Sequence, residues 1–193
     1  YQNIIIKHII SIMVIPIQQK KEGVLEKATE VKNRLSEFRV RLDDSDKSPG
    51  WKFSEQEMRG IPIRIELGPK DIEAGKCVMV RRDTGEKLEV SLEDVEVKAK
   101  ELLETIQEEM LERAKNHVAT HTYEATDFID FEKTLNEKPG FIKALWCEEQ
   151  ACEEEIKEKT GATSRCMPFD QGKIEGKCVC CGKPAKKMVY WGR

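Results

Sequence analysis

The chain has 193 residues, enough for one large domain or two small ones, and its 36% of charged and 6% of aromatic residues favour long solvated helices. The net charge of −3 is uneven, with +2 in residues 1–91 and −5 in residues 92–193. Neither part is basic enough to bind nucleic acid by counterion release alone, so any RNA contact must be local and selective.

The apolar start of the chain, residues 4–17, predicts neither a membrane span nor an export signal. Lys7 and His8 interrupt it, it is too short to cross a bilayer, and it lacks a small-residue cleavage site. We interpret residues 11–17 as a buried β-strand. Because the seven cysteines cannot all pair and no export signal is found, we expect a cytoplasmic protein whose thiols are reduced or metal-bound.

The next segments predict a βαβ unit. Apolar residues recur at helical spacing from Val24 to Phe38, and residues 39–43 alternate as a strand does. Strand, helix and strand in this order favour a mixed or parallel sheet. We therefore predict an α/β fold in which a mixed five-stranded sheet is flanked by helices.

Residues 46–71 hold many turn-forming residues around one short helix and one short strand. Ser54 and Glu57 have capping-box spacing, which predicts a helix over residues 55–59. In the strand that follows, Arg64 is expected on the face opposite the core. With Trp51 and Phe53 nearby, the stretch suits a surface that stacks on an unpaired base and reads its edges, although an ordinary β-loop-β corner has a similar composition.

The second half of the chain begins with a hairpin and a long helix. Strands at residues 77–80 and 87–90 flank a turn, and helical spacing continues from Val95 to Val118. The remainder predicts a small α+β domain. Its elements are a helix, loop and strand over residues 128–147, a helix over 148–159, and short strands at 167–169 and 188–191.

Four cysteines have the spacing of a metal site. Cys147 and Cys152 form one pair, and Cys178 and Cys181 form a Cys-x-x-Cys-Gly turn further along the chain. Two such pairs predict a closed, tetrahedral site for structural zinc without a catalytic role. Cys180 is an alternative to Cys181 because Cys-x-Cys spacing also occurs, but the i,i+3 pair is the commoner geometry.

Other chemistries are less well supported. A reducible Cys178–Cys181 pair would indicate a thiol oxidoreductase, but the pair does not open a helix after a βα unit. His117 and His121 are four residues apart, yet they lack an HExxH glutamate and a third ligand. No catalytic residue is predicted from any motif.

Three segments, Pro49–Phe53, Glu57–Asp71 and Val80–Gly85, closely resemble the anticodon-binding domain of prolyl-tRNA synthetase, a class IIa family. The resemblance runs from about Ile12 to Arg193, so it includes the C-terminal cysteines. It is strongest to the eukaryote/archaeal-like form, which is also found in some bacteria and carries an extra zinc-binding domain. The first ten residues and the ending Gly192-Arg193 depart from the family.

The resemblance implies that the first domain grips the anticodon of tRNA(Pro) and reads its two guanines. By position, Phe53 would stack on or support an anticodon base. Glu57 and Arg64 would address one guanine, and Lys70 and Asp71 would address the other. A carboxylate can accept from guanine N1–H and N2–H, whereas Arg or Lys can donate to O6 and N7.

We divide the chain into an anticodon-binding domain (1–103), a linking helix and connector (104–126) and a zinc-binding domain (127–193). By the resemblance, the partners are tRNA(Pro) and the enzyme's own catalytic domain. The intact enzyme is expected to be a homodimer, and neither a membrane nor DNA is expected as a partner. ATP and Mg would bind only that catalytic domain, which lies N-terminal to this stretch in the family, so the chain alone is expected to be inactive as a ligase. The alternative is a stand-alone zinc-containing module that docks protein partners.

Overall fold

The computed structural model describes residues 10–193. These residues form two compact units, the first ending at Leu111 and the second running from Glu112 to Arg193. The division falls within the segment 104–126 that we predicted as the link. Our predictions for residues 1–9, including Lys7 and His8, lie outside the described residues.

The first unit is built on a five-stranded mixed sheet. Its strand order is β2-β1-β3-β4-β5, in which β1 is parallel to both β2 and β3, and the pairs β3–β4 and β4–β5 are antiparallel. This confirms the predicted fold class, including the βαβ unit. The elements are β1 (Ile12–Pro16), α1 (Val24–Arg34), β2 (Val40–Leu42), α2 (Pro49–Met58), β3 (Ile63–Leu67), α3 (Pro69–Glu73), β4 (Lys76–Arg81), β5 (Lys87–Ser91) and α4 (Val95–Thr120), whose residues after Leu111 belong to the second unit.

The two faces of this sheet are buried differently because side chains alternate along each strand. On one face, Ile12, Ile63 and Ile65 belong to a large apolar core together with residues of α1 and α4. On the other face, Met13 and Ile15 form a smaller cluster, against which Phe53 of α2 packs. Helix α2 therefore covers the face from which Arg64 projects.

Helix α2 begins earlier than we predicted. The Ser48 side chain accepts a hydrogen bond from the Trp51 amide, and Pro49 occupies the first helical position, where an N–H is not needed. The predicted Ser54 cap is therefore wrong, since Ser54 lies inside the helix. The expected stop is confirmed: Gly60 adopts φ 76° immediately after the helix, a conformation that favours glycine.

The second unit has a four-stranded sheet in the order β6-β7-β9-β8, with β6 and β7 parallel and the other pairs antiparallel. Its core surrounds Trp191, whose ring meets Phe131 and Trp146 edge to face. The elements are β6 (Thr122–Glu124), α5 (Phe128–Glu137), β7 (Phe141–Trp146), α6 (Gln150–Thr160), β8 (Thr163–Cys166) and β9 (Lys187–Gly192).

One predicted strand in this unit is wrong. Residues 167–169 follow β8 instead of forming a strand, and both Met167 and Phe169 are exposed. Pro168 cannot donate a ladder hydrogen bond. Gln171 holds this loop instead, because its side chain donates to Pro168 O and accepts from the Met188 amide.

Among residues 10–193, none of the helices combines the length and the apolar character that crossing a bilayer requires.

Candidate functional site

Three of the five residues predicted to read the anticodon are in contact. Phe53 and Glu57 lie four residues apart on α2, which places them on one side of the helix. Arg64 projects from β3 toward them. Its guanidinium lies 4.5 Å from the centroid of the Phe53 ring, and its Nη1 donates to Glu57 Oε1 over 2.5 Å.

Two further residues that sequence reasoning missed complete this group. Arg64 Nε donates to Glu66 Oε1 over 2.8 Å, and Arg82 Nε donates to the backbone carbonyl of Glu57 over 2.8 Å. Glu66 could have been found from the strand alternation, because it follows Arg64 by two residues and must share its face. Arg82 gave no such signal, since its contact depends on how the β4–β5 hairpin meets the end of α2.

Lys70 and Asp71 lie at the carboxyl end of β3, in α3. Asp71 Oδ2 accepts a hydrogen bond from the Gly68 amide over 2.8 Å and so closes the first turn of this helix. Lys70 is exposed. At roughly 3.3 Å per residue, Gly68 is roughly 13 Å along the strand from Arg64. The structure therefore places these two residues beyond the Phe53–Glu57–Arg64 group, in the short helix that directly follows the strand of Arg64.

A buried lysine fixes the position of α2. Lys52 is 2% exposed, and its Nζ donates to Asp43 O over 2.7 Å and to Gln19 Oε1 over 3.0 Å. These bonds tie the helix to the loops that follow β1 and β2. Trp51, the neighbouring residue, is 46% exposed, and Lys47 lies 5.4 Å from its ring centroid.

In the second unit, the sulfur atoms of the four predicted cysteines lie within 4.8 Å of one another. The Cys147 sulfur is 3.6 Å from that of Cys152 and 3.7 Å from that of Cys181. Sulfurs that share a tetrahedral zinc ion at about 2.3 Å are about 3.8 Å apart. The cluster therefore fits a metal ion bound by Cys147, Cys152, Cys178 and Cys181.

Three elements bring these sulfurs together. Cys147 follows the end of β7, and Cys152 lies in the first turn of α6. Cys178 and Cys181 lie in a tight turn, in which the Cys178 amide donates to Lys183 O and the Gly182 amide donates to Cys178 O. Gly182 has φ 70°, which this turn needs and which glycine adopts without strain.

The thiols of the cluster differ in acidity. Burial raises the pKa of Cys147 and of Cys152. The backbone amide of Lys183 lowers the pKa of Cys181 to about 7, because it donates a hydrogen bond to the sulfur. A cation would be needed to hold all four as thiolates.

The remaining cysteines lie outside the group of four. Cys180 is half-buried, and burial, followed by the Glu155 side chain, raises its pKa to about 11. Cys77 is buried in the core of the first unit and Cys166 is exposed at the end of β8. All seven cysteines are free thiols, so Cys178 and Cys181 do not form a disulfide.

Comparison with known proteins places both units. Residues 11–109 match the model of the anticodon binding domain family, and residues 128–193 match that of the prolyl-tRNA synthetase C-terminal region. The chain belongs to the anticodon binding domain family. Its second unit carries the C-terminal region characteristic of prolyl-tRNA synthetase.

Individual relatives agree with this assignment. The chain is 64% identical over 182 residues to a proline–tRNA ligase of Lachnoclostridium phytofermentans, and the match covers 94% of this chain and 38% of the relative. It is 59% identical to the proline–tRNA ligases of Lachnospira eligens, over 95% of this chain and 39% of the relative, and of Clostridium botulinum, over 94% and 38%. The chain thus spans less than half the length of these relatives.

Proposed function

We propose that this chain is the anticodon-reading and C-terminal part of a proline–tRNA ligase, and that its first unit recognises the two guanines in the anticodon of tRNA(Pro). The observation that carries the proposal is the contact of Phe53, Glu57 and Arg64, three residues that the family resemblance assigns to the anticodon. ATP-dependent attachment of proline to tRNA belongs, in this proposal, to the intact enzyme.

The chemistry of the group supports guanine recognition. The Glu57 side chain is 53% exposed, so its carboxylate can accept from guanine N1–H and N2–H. Arg64 can donate to O6 and N7, and the Phe53 ring, which packs against its guanidinium, sets the plane of those donors. Lys70 and Asp71 would address the second guanine from the other end of β3.

For the second unit we propose structural zinc bound by Cys147, Cys152, Cys178 and Cys181. Four thiolates leave no open coordination position, so the ion would stabilise the fold and would not take part in catalysis. The zinc-binding domain favours the eukaryote/archaeal-like form of the enzyme, which also occurs in bacteria. We further propose a cytoplasmic homodimer, because four cysteines that serve as metal ligands suit a compartment that keeps thiols reduced.

The test is binding of a proline anticodon hairpin to the 193-residue chain. Arg64→Ala and Asp71→Ala should each weaken binding by about 1–3 kcal/mol, the value of a bidentate base contact. Arg59→Ala is the matched control, because Arg59 directly follows α2 and pairs with Glu55 of that helix but lies outside the group. Unchanged affinity in both Arg64→Ala and Asp71→Ala would overturn the assignment.

A further inference from the structure

Arg64 contacts two carboxylates of very different exposure. Its Nη1 donates to Glu57, whose side chain is 53% exposed, and its Nε donates to Glu66, whose side chain is 13% exposed. Arg64 itself is 12% exposed. The two ion pairs therefore differ in how easily water can replace a partner.

The more exposed ion pair, between Arg64 and Glu57, is the outer pair, and it conflicts with base recognition. In the described structure, Glu57 Oε1 is occupied by Arg64, whereas guanine would need the Glu57 carboxylate for its own N1–H and N2–H. Because an exposed ion pair contributes little net free energy, this contact can be exchanged at small cost.

Breaking the outer pair must not release Arg64. A guanidinium that is mostly buried is costly to leave without a counter-charge. Glu66 supplies that charge from the same strand and the same sheet face, and the Phe53 ring lies 4.5 Å from the guanidinium. These two contacts remain when Glu57 turns to another partner.

We propose that Glu66 is a positioning residue that holds Arg64 through Nε while Glu57 exchanges from Arg64 to guanine. This inference rests on the proposed anticodon recognition and adds how that site is prepared for the base. Glu66 touches no nucleotide in this scheme. It fixes the direction of the Arg64 Nη donors, which then meet guanine O6 and N7.

The RNA experiment uses anticodon hairpins in which each guanine in turn is replaced by 7-deazaguanine, which lacks the N7 acceptor. The original chain should bind the hairpin that is substituted at the guanine addressed by Arg64 about fivefold more weakly than the unmodified one. Glu66→Ala should lose that preference, and Glu66→Gln, which keeps an oxygen acceptor, should retain most of it. A Glu66→Ala protein that keeps the full preference would overturn the inference.

Glu89→Gln is the matched control. Glu66, Val78 and Glu89 lie in one cross-strand row of the sheet, so Glu89 shares the face of Glu66, and it has an ion pair of its own with Lys76. It should bind both hairpins as the original chain does. If the original chain itself does not distinguish the proline hairpin from one with a changed anticodon, the proposed function fails and not the positioning role alone.

A second measurement needs no RNA. The Arg64 Nε–H resonance can be followed by NMR, and its exchange with solvent reports whether Nε is hydrogen-bonded. We expect slow exchange in the original chain and in Glu57→Gln, and exchange at least about tenfold faster in Glu66→Ala. Fast exchange in Glu57→Gln together with slow exchange in Glu66→Ala would show that Glu57, and not Glu66, holds the arginine.

Discussion

The two units of this chain are stabilised in different ways. In the first, a five-stranded sheet buries large aliphatic side chains against α1 and α4. In the second, an apolar core around Trp191 is joined by a separate cluster of cysteines. Between residues 172 and 186, only Cys178 and Val179 are buried, so this turn has little apolar surface to hold it in place. The first unit should therefore depend on its core, and the second on a bound ion.

Removing the metal should give the largest difference between the units. A structural zinc site contributes about 10–16 kcal/mol of apparent binding free energy at neutral pH. Chelation, or Cys152→Ser, should therefore abolish hydrogen-exchange protection in residues 122–193 and leave that of residues 12–92 unchanged. Hydrogen exchange read by mass spectrometry, with zinc measured in the same sample, checks this.

Two cysteine variants serve as controls. Cys166→Ser and Cys180→Ser should keep one zinc per chain, since both residues lie outside the group of four sulfurs. Cys181→Ser should lose it. Zinc retained in Cys181→Ser and lost in Cys180→Ser would mean that Cys180 is the fourth ligand.

A core substitution should show the reverse pattern. Ile65 is completely buried in the core of the first unit, so Ile65→Ala should lower its free energy of unfolding by about 2–5 kcal/mol. Zinc content should not change. Denaturant unfolding measures the loss, and Val97→Ala, at an exposed site on α4, should have almost no effect. Equal effects of the two variants would argue against this core.

Lys52 should give a smaller loss that also reaches the RNA site. Lys52→Met keeps most of the buried stem but leaves Asp43 O and Gln19 Oε1 without their donor, at a cost of about 1–3 kcal/mol in stability. Because Lys52 anchors α2, hairpin affinity should fall as well. Lys47→Met is the control for stability, because Lys47 is an exposed lysine two residues before the start of α2. A fully stable Lys52→Met protein would contradict this role.

The smallest effect is expected from pH. The hydrogen bond from the Arg34 side chain lowers the pKa of Glu96. A carboxyl whose folded pKa lies below its unfolded value stabilises the protein at neutral pH, and this stabilisation is lost as pH falls through the folded pKa. Both side chains are partly exposed, so the contribution should be less than about 1 kcal/mol.

In Glu96→Gln, the free energy of unfolding should therefore fall less between neutral and acidic pH than in the original chain, by less than about 1 kcal/mol. Urea unfolding at several pH values measures this difference. Glu104→Gln, at an exposed site on the same helix, should leave the pH profile unchanged. If the two profiles were identical, the Arg34–Glu96 pair would have no stabilising role.

Much of the fold could be predicted because periodicity is strong where burial is strong. The alternation in Ile63–Leu67 and the helical spacing after Val95 gave the right elements. Ser54 was misassigned because Pro49 and Gly50 indicated a turn, whereas a proline is also suited to the first position of a helix. Residues 167–169 were misassigned because apolar residues indicated burial that the fold does not supply.

For the candidate site, spacing predicted the four clustered cysteines but left Cys180 as an alternative to Cys181. The Phe53–Glu57–Arg64 contact depended on the family resemblance, since Arg64 and the α2 residues come from separate elements. Arg82 could not be found from sequence, because no periodic pattern relates the β4–β5 hairpin to the end of α2.

The most direct test is to measure, before and after zinc is removed, how strongly the chain prefers the proline anticodon hairpin over one with an altered guanine. We predict that removing the metal unfolds the second unit while the first unit still prefers the proline anticodon over one in which guanine is replaced by inosine, by an unchanged ratio. A preference that disappears in parallel with the zinc would contradict the division of roles between the two units.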